Sequence, residues 1–241
     1  MTAAMDLAGV RPFGESGFRA TDLAAVGLDP VDLDAGFAAA FAGQMRPRLA
    51  RRADGFAALF AALDAIGGPR LLVETGTLRV PANWRGDGQS SVMFDLYAQM
   101  EGRAGRSVSF VSIDLSVASI AAARGVCSHA TQLICNDSVH ALHTLGRLLP
   151  PRAATLLYLD SYDLDVANPW PSAHHHLMEL TAAAPLLGPG SLIMVDDFDV
   201  RDPADTGAGV PGGKGLLVDR YLASIGARTL YSGYARLWRM P

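Results

Sequence analysis

The chain has almost no lysine: Lys214 stands alone, and the other 19 of its 20 Lys and Arg residues are arginine. Cysteine is nearly absent too. Cys127 and Cys135 form no CxxC and no Cys/His spacing, which leaves a zinc site or disulfide framework without support; they read as free thiols in a reducing compartment. Positive charge is not in excess, for the formal net charge is −4 at pH 7, and a phosphate-tracking nucleic-acid binder needs a basic stripe. No apolar run reaches the ~18 residues of a membrane span. The first 14 residues lack a basic region followed by an apolar one, so no signal peptide is expected. The GxGxxG fingerprint of dinucleotide binding is missing, as are repeats and low-complexity tracts. These absences lead one to expect a cytoplasmic protein that binds neither nucleic acid nor membrane.

What is present is a foldable amount of apolar sequence, 50% of 241 residues, sufficient for one substantial core with a helical appendage. Residues 1–33 are rich in Gly, Pro and Asp and read as an irregular arm with a short helix near residues 20–26. Over residues 33–66 the pattern turns helical: Phe37, Phe41 and Met45 recur at helical spacing, then Phe56, Leu59, Phe60 and Leu63, with Pro47 between the two runs. Residues 1–68 are therefore expected to form an N-terminal arm and helical extension, and 69–241 the main domain.

From residue 70 strands alternate with helices. Strands are predicted over 71–73, 108–113, 132–135, 155–159 and 191–195, and helices over 90–100, 117–124, 138–148, 172–187 and 215–225. This alternation indicates a parallel, doubly wound α/β sheet. Two last strands, 228–231 and 235–239, are joined only by Ser232-Gly233-Tyr234 and must be antiparallel. The longest loops, 78–89, 163–171 and 199–213, each follow a strand, where open α/β sheets bind ligands.

Four motifs lie at those strand ends. Val73-Glu74-Thr75-Gly76-Thr77 places a glycine where backbone can approach a ligand, beside an acidic residue suited to a cationic or hydroxyl-bearing one. An ordinary strand-to-loop turn would look the same. Ser112-Ile113-Asp114-Leu115 offers a carboxylate to a pair of ribose hydroxyls, or caps the next helix. Cys135-Asn136-Asp137-Ser138 either meets an adenine amino group or is again a cap. The fourth is a pair of stretches, Leu159-Asp160-Ser161-Tyr162-Asp163 and Val195-Asp196-Asp197-Phe198, after apolar strands that should be neighbours. Carboxylates gathered at one sheet edge repel, and a hard divalent ion such as Mg²⁺ would offset this; caps and loop salt bridges are the structural alternative.

The ordered set ETGT, SIDLS, CNDS, LDSYD and VDDF, with residues 184–197 as its most similar stretch, resembles class I S-adenosylmethionine-dependent methyltransferases. It is most similar to the metal-dependent, macrocin O-methyltransferase-like and catechol-type small-molecule enzymes. The resemblance covers about residues 70–198 and the closing hairpin. It implies a Rossmann-like seven-stranded methyltransferase sheet with a C-terminal antiparallel hairpin, acting on a hydroxylated small molecule such as a natural-product intermediate. It further implies S-adenosylmethionine contacts at Glu74, Gly76, Thr77, Ser91, Asp114, Leu115, Asp137, Ser138 and Asp160, and Mg²⁺ ligands at Asp160, Asp196 and Asp197. Leu78 stands where the family has a second glycine, and residues 79–87 are inserted before Gly88-Gln89-Ser90-Ser91. The lysine base of the catechol-type enzymes has Asp163 in its place, which makes Asp163 the expected base, as in the antibiotic-tailoring relatives.

His174-His175-His176 cannot chelate one ion from a helix, because adjacent residues point apart, but one of them, represented by His175, is an alternative base. The loop 199–213 would act as a lid, and residues 37–63 would supply an apolar wall or a homodimer contact. Three other readings stay open: a metal-independent N- or carboxyl-methyltransferase, a nicotinamide-dependent oxidoreductase, and a non-catalytic small-molecule binder on this fold.

Overall fold

The structure, a computed structural model, describes residues 19–87, 89–200 and 212–241. The first 18 residues of the predicted arm, Gly88, and residues 201–211 of the predicted lid loop lie outside the described residues.

Seven strands make one sheet: β1 (Arg70–Thr75), β2 (Val108–Asp114), β3 (Thr131–Cys135), β4 (Leu156–Leu159), β5 (Leu192–Val195), β6 (Arg228–Ser232) and β7 (Arg236–Arg239). Their order is β3-β2-β1-β4-β5-β7-β6, parallel through β5, with β7 antiparallel to both neighbours. This is a Rossmann-like α/β sheet closed by an antiparallel hairpin, as the sequence predicts. β4 and β5 are apolar runs, and with β1 they are covered on both faces, as parallel strands between helical layers must be.

One face carries α1 (Phe37–Ala40), α2 (Ala53–Asp64), α3 (Ser90–Arg103) and α4 (Val117–Val126); the other carries α5 (Ser138–Leu148), α6 (Trp170–Ala183) and α7 (Leu216–Ser224). Between α1 and α2 the chain stays helical but irregular: a π-turn over Phe41–Met45, then 3₁₀ turns on either side of Leu49. Pro47, with no amide hydrogen to donate, accounts for the break. The aromatic periodicity over 37–63 serves the chain's own core. Phe37, Phe41, Phe56 and Phe60 are buried in one cluster with Phe94, Tyr97 and Tyr158. Each such side chain contributes about 1.5–3 kcal/mol by leaving water.

The short helix expected near 20–26 is instead a turn, closed where the Leu28 amide donates to the Leu23 carbonyl at 2.9 Å and the Ala25 amide to Asp22 at 3.0 Å. Gly27, at φ 72°, reverses the chain there. α6 begins at Trp170 rather than at Ser172, because Pro171 fits the first helical turn.

Sheet register positions the site. Thr75 pairs with Leu159, and Leu159 with Val195. The next residues, Gly76, Asp160 and Asp196, therefore emerge side by side at the carboxyl edge. Tyr234, in the β6–β7 turn, reaches that edge from the antiparallel hairpin.

Candidate active site

Gly76 adopts φ 80°, and a Cβ there would lie 2.5 Å from the Asp160 carbonyl oxygen. A glycine is thus required both by the backbone angle and by the close approach of the β1 and β4 turns. A small cleft opens beside it, lined by Gly76, Thr77, Arg79, Asp87, Ser90, Asp114, Asp160 and Ser161.

The acidic residues play different parts around it. Glu74 is fully buried and does not line the cleft; its Oε2 accepts from Ser91 Oγ at 2.6 Å and Ser112 Oγ at 2.5 Å, and its Oε1 is buried without a partner. Ser91 Oγ also accepts the Leu78 amide at 3.0 Å, so Glu74 braces the loop through Ser91. Desolvation pushes the Glu74 pKa up to about 7 against the pull of those serines. Asp114 accepts the Thr77 amide at 3.0 Å on one oxygen and the Ser116 amide at 2.7 Å on the other, which leaves a free lone pair on each. Leu115 follows it with 73% of its surface exposed. Asp137 caps α5, accepting from the His140 amide at 2.9 Å, and Ser116, not Asp114, caps α4. The inserted residues 79–87 are closed by Asp87, which accepts the Arg79 and Val80 amides.

Asp160, Asp196 and Asp197 converge as the sequence suggests, with carboxylate oxygens within 4.8 Å of one another. Two cations meet them. Lys214 Nζ donates to Asp160 Oδ1 at 2.5 Å and lies 3.0 Å from Asp197 Oδ2. Arg52 Nε donates to Asp196 Oδ2 at 2.6 Å, and Tyr234 donates its hydroxyl to Asp197 Oδ1. Burial, reinforced by the two other aspartates and opposed by Lys214, raises the Asp160 pKa to about 7. Asp197 is held below its usual range: burial opposes this, but Lys214 and the Tyr234 hydroxyl prevail. For Lys214 burial favours the neutral amine, yet the three carboxylates outweigh it and keep the ammonium charged. Arg52, Lys214 and Tyr234 escaped the sequence reading. The available signal was Lys214 itself, the sole lysine, flanked by Gly212, Gly213 and Gly215.

The donor set therefore does not fit Mg²⁺ as the residues stand. The oxygens are hard ligands, but the two that would bridge an ion already hold an ammonium, and Asp196 already holds a guanidinium. Only Asp196 Oδ1 is buried and unpartnered among the cluster's oxygens.

Asp163 stands away from water-excluding surroundings: its side chain is 76% exposed and pairs with Arg79 at 3.0 Å. The three histidines face three environments, His174 exposed, His175 half-buried and His176 buried. His175 Nε2 lies 3.1 Å from Ser138 Oγ and 3.4 Å from Glu179 Oε1, and the Glu179 hydrogen bond raises its pKa. One ring nitrogen serves both neighbours, so the group is no Ser-His-acid triad, which needs one nitrogen for each. Ser161 Oγ also donates to Glu179, at 2.6 Å. Burial lowers His176 to about 4, and its Nδ1 faces the Ser172 carbonyl at 2.7 Å, so it stays neutral.

No protein-family model and no curated protein matches the chain. Several solved structures are similar to it. MycE methyltransferase from the mycinamycin biosynthetic pathway, in complex with Mg, SAH and mycinamycin VI, is 15% identical over 71% of this chain and 44% of its own, at a TM-score of 0.46. CalS11, a calicheamicin methyltransferase, is 14% identical over 93% of this chain and 98% of its own, at a TM-score of 0.48. TrmN from Thermus thermophilus is 17% identical over 81% of this chain and 52% of its own, at a TM-score of 0.44. This chain spans less than half the length of MycE. At such identities and scores the likeness assigns no activity to this chain.

Proposed function

We propose that the chain is an S-adenosylmethionine-dependent methyltransferase that methylates an oxygen of a hydroxylated small molecule. The observation that carries this is the cleft in which Gly76, Thr77 and Asp114 meet Asp160. Gly76 and Thr77 bring backbone to the wall of the cleft, and Asp114 keeps a lone pair on each oxygen for a ribose hydroxyl. Exposed Leu115 gives an apolar flank for a base, with Asp137 and Ser138 at the next strand end. The partly buried acidic edge suits a cationic ligand and disfavours a pyrophosphate.

When bound, the cofactor supplies a methyl group on a sulfonium. Asp160 then has the placement and basicity to accept the proton of an acceptor hydroxyl: it lines the cleft, and its pKa near 7 matches a base working near neutral pH. Asp197, oriented by Tyr234 and Lys214, holds the neighbouring position. A hydroxyl needs such a base, whereas a neutral amine does not, and this favours oxygen as the acceptor atom. The loop 199–213, the expected lid, contributes no residue to this assignment.

Titration calorimetry with S-adenosylhomocysteine tests the proposal. Saturable binding is expected, weakened by at least about tenfold in Asp114→Ala, which loses an interaction of the charge-assisted kind worth roughly 1.5–3 kcal/mol. Binding of NAD without S-adenosylhomocysteine would sink it.

A further inference from the structure

We infer that the Lys214 ammonium is the resident cation of the Asp160–Asp196–Asp197 cluster, holding by its covalent tether the place a divalent ion would take, so that the protein binds no divalent metal there. This deepens the reading above by naming the counter-cation of the same cleft.

The geometry is that of a bound ion rather than of a surface pair. Nζ bridges two carboxylates, at 2.5 Å from Asp160 Oδ1 and 3.0 Å from Asp197 Oδ2, and Lys214 is 2% exposed. An ammonium is a compact point charge with three donors, so it can sit between converging oxygens where a planar guanidinium fork would not. In a chain with 19 arginines, the only lysine occupies this spot.

The backbone is shaped to deliver it. Lys214 rides on a 3₁₀ turn, Gly213–Gly215, whose amide bonds the Asp197 carbonyl at 3.2 Å. A Cβ on Gly213 would collide with that carbonyl oxygen, and one on Gly215 would lie 2.6 Å from the Phe198 ring. Only glycine on both sides lets the turn approach β5 closely enough. Asp197 itself takes a left-handed φ of 47°, rare for a non-glycine residue, and its Oδ2 meets Nζ.

Charge closes the argument. Three carboxylates face Lys214 and Arg52, and the Tyr234 hydroxyl satisfies Asp197 Oδ1, so the repulsion that an ion would offset is offset already. Mg²⁺ demands contacts of about 2.0–2.1 Å to the oxygens that Nζ holds, and would face two positive groups at short range.

Mn²⁺ uptake followed by electron paramagnetic resonance, on the full chain without cofactor or substrate, tests this. The wild type should show no saturable Mn²⁺ binding. Lys214→Met should gain one site binding at least about tenfold more tightly, because an emptied three-carboxylate cluster is a hard-ion site, and adding Asp160→Asn should remove it. Wild-type uptake of one Mn²⁺ that Asp160→Asn abolishes overturns the inference, as does a folded Lys214→Met that gains nothing. Should Lys214→Met fail to fold, the wild type's thermal midpoint decides. No shift with millimolar Mg²⁺ upholds the inference, and a shift that Asp160→Asn abolishes overturns it. Neither readout involves methyl transfer, so a failure to bind S-adenosylhomocysteine would sink the functional reading and leave this one standing.

Discussion

Arg52 and Asp196 lie 144 residues apart in sequence and meet at 2.6 Å, with side chains 9% and 0% exposed. The guanidinium comes from the turn before α2 and the carboxylate from the end of β5, so this ion pair ties the N-terminal helices to the carboxyl edge of the sheet. Arg52 also donates to the Arg85 carbonyl at 3.0 Å, which fixes the inserted loop to the same anchor. Burial alone would favour a neutral Arg52; Asp196 more than reverses that.

Removing one partner of a buried pair leaves the other charged and unpaired, at a cost of about 3–5 kcal/mol. Arg52→Met should therefore lower unfolding free energy by that amount in urea titrations. Arg52→Met/Asp196→Asn should cost less than Arg52→Met alone, because no unpaired charge remains. Equal losses in the single and double variants would mean that Arg52 acts through packing only.

The segment that supplies Arg52 illustrates what the sequence can and cannot disclose. Periodicity placed all seven strands and the aromatic stripe of residues 37–63, because burial on one face writes itself as spacing. The three aspartates are equally legible, since they stand just past the ends of two apolar strands, β4 and β5. Their cationic partners are not, for Arg52 and Lys214 meet them across 144 and 54 residues, and no local pattern encodes such pairings. The resemblance points to Asp163 as a base, but no local pattern discloses its surroundings, a 76% exposed side chain paired with Arg79.

The base assignment separates the two aspartates. Asp160→Asn removes a proton acceptor in the cleft and should lower turnover by about 10²–10⁴-fold while S-adenosylhomocysteine affinity changes little. Asp163→Asn loses an exposed pair with Arg79, worth at most about 1 kcal/mol, and should change turnover by less than about tenfold. Single-turnover rates with a hydroxylated acceptor decide between them. A near-silent Asp160→Asn beside an inactive Asp163→Asn would move the base to Asp163.

Glu74 should leave a signature in stability against pH. Its carboxyl is fully buried with one oxygen unpartnered, and its pKa rises from 4.5 to about 7 in the folded chain, chiefly through desolvation. Between those values the folded state holds a proton that the unfolded state has released, so unfolding free energy falls as pH rises through that window. A shift of that size corresponds to roughly 3 kcal/mol, present as stability below about pH 4.5 and lost by about pH 7. Glu74→Gln cannot ionise, and its amide oxygen can still accept from Ser91 and Ser112. The free-energy difference between wild type and Glu74→Gln should therefore drift in favour of the variant from pH 5 to pH 8, whatever other groups titrate in both. Urea unfolding at closely spaced pH values measures that difference directly. A difference independent of pH would mean that Glu74 is ionised throughout, stabilised in the folded chain by the hydroxyls of Ser91 and Ser112 more strongly than burial disfavours it.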